Sequence, residues 1–149
     1  MKIWVDADAC PAEVKELLYR VANRTQTEVT LVANQGLNTP RSQFITTLIV
    51  SAGMNVADRR IVDLVQVGDL VVTADIPLAA QIVAKGAQAL DPRGQLYTEG
   101  NIGERLAVRN LLDELRGSGL VARGPANFTS KDRQAFANQL DRWLNASRK

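Results

Sequence analysis

The chain has 149 residues, which suits one domain around one substantial core. Hydrophobic residues make up 46% and charged residues 23%, the balance of a globular protein; this excludes a disordered or fibrous chain, and no apolar run of about 18 residues predicts a membrane span. Lys plus Arg number 18 against 16 Asp plus Glu, a formal charge of +2 too mild to demand nucleic acid, and the absence of histidine excludes Ser-His-Asp and Cys-His catalysis and histidine-ligated zinc or iron.

The first residues lack the basic, apolar and cleavage regions of a secretory signal, and the lone Cys10 has no disulfide partner within the chain, so a cytoplasmic protein is expected. A protein-bound metal would have to sit on oxygen ligands, which favours Mg²⁺ or Mn²⁺ and leaves Ca²⁺ open. Arginine dominates the basic residues; it suits bidentate phosphate contacts and equally an ordinary solvated surface.

Taken in chain order, Lys2 to Val5 reads as a buried strand, and Pro11 opens a helix whose Val14, Leu17, Leu18 and Val21 make one apolar face ending near Asn23. Glu28 to Ala33 is a second strand, followed by the polar loop "NQGLNTPR". Phe44 to Val50 is β-branched and reads as a third strand. Val56 to Val65 is a helix with Ile61, Leu64 and Val65 inward, and Asp69 to Thr73 is a fourth strand. Pro77 begins a helix carrying Leu78, Ile82 and Val83 that stops at Gly86, and "AQAL" is a short fifth strand. After the loop "DPRGQLYTEGN", one helix runs from about Ile102 to Leu115, and another from "FTSKDRQAF" to Leu144, capped by Thr129 or Ser130. The glycine-rich "GSGLVARGPAN" between them reads as a surface loop, or as a segment that covers the site. Strands alternating with helices predict a single α/β domain over residues 1–149: an open, mostly parallel sheet flanked by helices, with two C-terminal helices. Those terminal helices offer faces that pack within the chain or across a homodimer.

In such sheets ligands bind beyond the carboxyl ends of the strands, at the switch point of the strand order. "WVDAD" places Asp6 and Asp8 at the end of the first strand, and "VVTAD" places Thr73 and Asp75 past the fourth. In a 3-2-1-4-5 order these ends are neighbours. "NVADRRIVDLV" puts Asp58 at the start of the helix that precedes strand four. Carboxylates gathered there repel one another, and a hard divalent cation relieves that conflict, polarises a phosphoryl oxygen and lowers the pKa of a bound water. Taken singly, each has a structural reading: Asp6 in a turn, Asp8 and Asp75 as helix caps, Asp58 as a charge favoured by a helix dipole. Asp63 and Asp69 read as solvated or structural. Cys10 reads as a small packing residue, Trp4 and Trp143 as core, and aromatic residues at 5% are too few for a base-stacking platform.

The segments "IWVDADACP", "ADRRIVDLVQVGDLVVTADIPLA", "KGAQALDPRG", "LYTEGNI" and "GPANFTSKDRQAF" resemble the YaiI/YqxD family of small bacterial proteins of uncharacterised function, over nearly the whole chain. That family in turn resembles PIN and NYN nuclease-like domains, which implies a PIN-like parallel sheet with an acidic Mg²⁺ or Mn²⁺ site. Carried over by position, the resemblance implies Asp6, Asp58 and Asp75 as metal-site and catalytic residues, with Asp8 an additional acid. Many such nucleases carry a further acid on a helix between strands two and three. "SQFITTLIVSAG" has none, and Asp63 or Asp8 are the substitutes.

The leading expectation is a metal-dependent phosphodiesterase acting on RNA, ahead of DNA, with Asp6, Asp8, Asp58 and Asp75 as ligands and Thr73 hydrogen-bonding a ligand or the attacking water. Arg59, Arg60, Lys85 and Arg93 are candidates for phosphate contact and equally ordinary solvated side chains. The alternatives are a non-catalytic RNA- or protein-binding module on the same fold, and a haloacid-dehalogenase-like phosphatase with Asp6 as nucleophile and Asp8 as acid and base.

Overall fold

A computed structural model describes residues 1–53, 55–119 and 127–147. Six strands form one sheet in the order β3-β2-β1-β4-β5-β6: β1 Ile3–Asp6, β2 Val29–Ala33, β3 Ile45–Ile49, β4 Leu70–Val72, β5 Gln88–Leu90 and β6 Leu96–Tyr97. The first five pair in parallel, and β6 returns antiparallel to β5. The helices are α1 Ala12–Thr25, α2 Val56–Leu64, α3 Ile76–Ala84, α4 Ile102–Gly117 and α5 Ser130–Ser147. A short 3₁₀ turn, Ala7–Ala9, joins β1 to α1. Among the described residues no helix is long and apolar enough to cross a membrane.

The period of two in the strands decides which helices cover which face. Ile3, Val5, Leu31, Leu70 and Val72 face one side, where α1 lays down Val14, Leu18 and Val21 and α5 adds Phe136 and Leu140. Trp4, Val32, Val71 and Ala89 face the other side, where α2 contributes Ile61 and α3 contributes Leu78, Ile82 and Val83. The C-terminal helix α5 therefore packs within the chain, on the α1 face. By contrast α4 rests on α3 with no residue fully buried, and Val108 and Leu111 are about half exposed.

All five expected strands and all five helices form. The sixth strand lies where the sequence reads as loop. "DPRG" makes a turn in which Gly94 N–H donates to the Asp91 carbonyl and Asp91 N–H donates to the Gln95 carbonyl, and two residues then pair back onto β5. No helix intervenes between β2 and β3, which accounts for the missing acid at that position. The loop "GSGLVARGPAN" falls mainly outside the described residues.

The buried Asp69 is structural. Its carboxylate accepts from Lys2 N–H at 2.9 Å, Trp4 Nε1 at 3.0 Å and Gln66 N–H at 3.0 Å, tying the start of β1 to the start of β4. Cys10 is buried, and burial pushes its thiol up to about 12, so it packs as a neutral side chain.

Candidate functional site

The chain runs β1 to β2 to β3 toward one edge, then returns to place β4 on the other side of β1. The switch point therefore lies between β1 and β4. Val5 pairs with Val72, so the next residues on each strand, Asp6 and Thr73, emerge side by side at the carboxyl ends. By strand parity Asp6 shares the face of Trp4, and Thr73 that of Val71. Both therefore sit on the side covered by α2 and α3. The N-termini of those two helices carry Asp58 and Asp75.

The bonds at this point link three elements. Thr73 Oγ1, almost wholly buried, donates to Asp6 Oδ2 at 3.1 Å and accepts from Asp75 N–H at 3.0 Å. Asp75 Oδ1 accepts from Leu78 N–H at 3.0 Å, an N-cap that starts α3 with Pro77 in its first turn. Asp75 thus caps the helix and also carries charge into the site. Asp8 diverges: its Oδ2 accepts from Asn34 N–H at 3.0 Å, at the end of β2 on the opposite side of Asp6.

Burial and charge repulsion together raise the proton affinity of the acids here. Burial, then the Asp75 and Asp6 carboxylates and a hydrogen bond with Asp75, push Asp58 up to about 6. Asp6 is also raised, first by burial and then by Asp75 and Asp8, against the opposing Thr73 hydrogen bond. The donor set is all oxygen and mutually repelling, which fits a hard divalent cation. Among the described residues, however, no three such side chains already stand at the spacing that holds a metal ion. Asp6, Asp58 and Asp75 would have to draw in around it.

The basic candidates separate. Arg59 lines a hollow of about 400 Å³ together with Asp58, Asp75 and Arg109. Arg60 is exposed on α2, away from that lining. Lys85 closes α3 at the opposite edge of the sheet, beside the start of β4, where Nζ donates to the Val62 carbonyl. Arg93 belongs to the β5–β6 turn and pairs with Asp132 at 2.8 Å. Asp63 is exposed on α2 and does not line the Asp58–Asp75 hollow.

Sequence reasoning missed Arg109, and with it the groove beside the acids. Residues Arg105, Val108, Arg109, Leu112 and Arg116 follow one another at helical spacing along α4 and line a second cavity of about 670 Å³ with the β5–β6 hairpin. That i, i+3, i+4, i+7, i+11 stripe was the available signal.

The family model described as "Uncharacterized BCR, YaiI/YqxD family" matches residues 4–146. A UPF0178 protein of Pectobacterium carotovorum is 56% identical over 149 residues, covering 100% of this chain and 99% of its own. UPF0178 proteins of Dechloromonas aromatica and Maridesulfovibrio salexigens are each 58% identical, over 97% and 99% of this chain and 96% and 97% of theirs. No solved structure matches the chain significantly.

Proposed function

The chain belongs to the bacterial YaiI/YqxD family, and on that premise we propose that it is a divalent-metal-dependent phosphodiesterase that cleaves RNA. The observation that carries this reading is the meeting of Asp6, Asp58 and Asp75 from three elements at the β1/β4 switch point, where Asp75 raises the proton affinity of both Asp6 and Asp58, and Asp6 that of Asp58.

Asp6, Asp58 and Asp75 would hold Mg²⁺ or Mn²⁺, and Asp8 would add negative field from the far side of Asp6. The cation, when bound, supplies Lewis-acid stabilisation of a phosphoryl oxygen and lowers the pKa of water at the site. Thr73 holds the Asp6 carboxylate through its hydroxyl and ties it to the start of α3, so two acids keep a fixed relation. With Oδ1 committed to the cap, Asp75 presents Oδ2. Asp58 stands beside Asp75, and a cation bound there would relieve the repulsion that raises its proton affinity and keep its carboxylate ionised as a ligand. Arg59 and Arg109 border the same hollow and are placed to take phosphate oxygens.

The test is cleavage of labelled single-stranded RNA with Mn²⁺ and with EDTA. Cleavage is expected with Mn²⁺ alone, and Asp6→Asn or Asp75→Asn should lower it at least a hundredfold. Cleavage that survives both substitutions would sink the assignment. One observation favours a second reading, a binding module without turnover: the three carboxylates do not already stand at metal-holding spacing. RNA binding that persists in EDTA, with no cleavage under any divalent ion, would select it. In the phosphatase alternative Asp8 would be the acid and base; its Oδ2 accepts from Asn34 N–H at 3.0 Å, and its charge still acts on Asp6.

A further inference from the structure

We propose that the groove between α4 and the β5–β6 hairpin binds the single-stranded RNA segment that flanks the scissile phosphate. This rests on the nuclease reading and names the path of its substrate. The groove, about 670 Å³, lies against Ala74 and Ile76, the residues on either side of Asp75. Arg109 lines both this groove and the acidic hollow, so the two are contiguous. A cavity of this size falls in the range of about 300–1,000 Å³ that encloses a nucleotide-sized ligand.

Its chemistry is divided. Ile76, Val108 and Leu112 give it an apolar floor, and Arg93, Arg105, Arg109 and Arg116 stand around it. Four arginines face the lining acids Asp91 and Glu104, and their ion-pair partners Asp113 and Asp132 bring the acids to four, so the groove balances in charge (4 − 4) and offers phosphates directed N–H donors rather than net charge. Asp91 is already engaged, accepting from Arg93 N–H at 2.6 Å and from the Tyr97 hydroxyl at 3.5 Å. Asp113 and Asp132 lie outside the lining and hold arginines in place: Asp113 takes Arg109 at 3.2 Å and Arg116 at 3.3 Å, and Asp132 takes Arg93. Arg105 Nη1 donates to Gln95 at 2.9 Å. A guanidinium has five N–H donors, so the one bond of Arg105 and the two of Arg109, to Asp113 and to Asn110 Oδ1 at 3.1 Å, orient these groups without exhausting them. An apolar floor with oriented guanidinium groups accommodates an unstacked base and its adjoining phosphates. A duplex keeps its bases stacked inside and has nothing to offer the floor.

The experiment is fluorescence anisotropy of a labelled eight-nucleotide RNA in EDTA, where cleavage plays no part. The protein should bind it, and affinity should fall with salt at a logarithmic slope of about −2, as for three neutralised phosphates on a single strand. The double variant Arg105→Gln/Arg109→Gln and the floor variant Val108→Asp should each weaken binding about tenfold or more. Lys85→Gln, at the far edge of the sheet, should change it less than twofold. A photo-crosslink from 4-thiouridine should map to residues 102–112, a readout that needs no variant. Any of these results overturns the proposal: no RNA bound, unchanged affinity in both groove variants, equal affinity for a duplex, or a mononucleotide bound as tightly as the eight-mer. Binding as expected with no cleavage in Mn²⁺ would leave the groove standing and remove the nuclease; cleavage with both groove variants at wild-type KM would remove the groove alone.

Discussion

At the site, the proton affinity of Asp58 is raised well above that of a free carboxylate. Its carboxyl loses a proton near pH 6 in the folded chain and near its ordinary 3.8 when unfolded. Folding therefore favours the protonated form, and ionising Asp58 works against the fold. Stability from this group is present at pH below about 4, and it declines as pH rises from the unfolded value through the folded one. Without metal, the melting temperature should rise as pH is lowered from 7 to 5, and Asp58→Asn should melt higher than wild type at pH 7 with the difference shrinking toward pH 5. Thermal melts in EDTA across that range check this. A variant that melts lower at every pH would mean that Asp58 makes a bond worth more than the repulsion it suffers. Asp6, Asp58 and Asp75 were readable from sequence because each sits where a strand gives way to a helix, a place that topology alone marks as a ligand site. Arg105 and Arg109 show in the sequence only as members of the α4 stripe, because an arginine on an exposed helix face has the same local signature whether it meets phosphate or water.

Among the elements, the β5–β6 hairpin shows what a two-residue strand hides. "LY" is too short to display alternation, so its sheet pairing follows from the "DPRG" turn and from α5 pressing on it. Gly94 has φ +93°, and a Cβ there would stand 2.6 Å from the backbone and the Cβ of Ala135 on α5. Arg93 binds Asp132 and the Asn127 carbonyl, so the same turn anchors the start of that helix. Gly94→Ala adds backbone strain of about 1 kcal/mol and overpacking of about 1–3 kcal/mol. A loss of about 2–4 kcal/mol in urea unfolding is expected, with the control Gly103→Ala, which has open space around it, within about 1 kcal/mol of wild type. Equal stability of the two variants would show that α5 shifts freely on the hairpin. The helices were more legible than the hairpin: α1 carries its apolar residues at 3.6-residue spacing, and α3 opens with an aspartate cap and a proline.

For the molecule as a whole, the strand order turns separate acids into one electrostatic unit. Asp6 and Asp75 lie 69 positions apart in sequence (75 − 6) and become neighbours because β4 inserts beside β1. A cation bound among them would stabilise the folded chain by mass action, by about 2.7 kcal/mol when its concentration is a hundred times its Kd. Protons compete for the same oxygens. Asp58 titrates near 6 and Asp6 above its ordinary value, so at pH 7.5 the acids are ready for the ion and at pH 5 at least one must first lose a proton. Displacing one proton weakens apparent affinity about tenfold per pH unit below 6. Mn²⁺ at millimolar concentration should therefore raise the melting temperature at pH 7.5 and have much less effect at pH 5. In Asp6→Asn/Asp58→Asn the rise should vanish at both, while the fold's own stability in EDTA at pH 7.5 should not fall, since two repelling charges have gone. An equal Mn²⁺ effect at pH 5 and 7.5, or one that persists in the double variant, would put the ion somewhere other than the β1/β4 switch point.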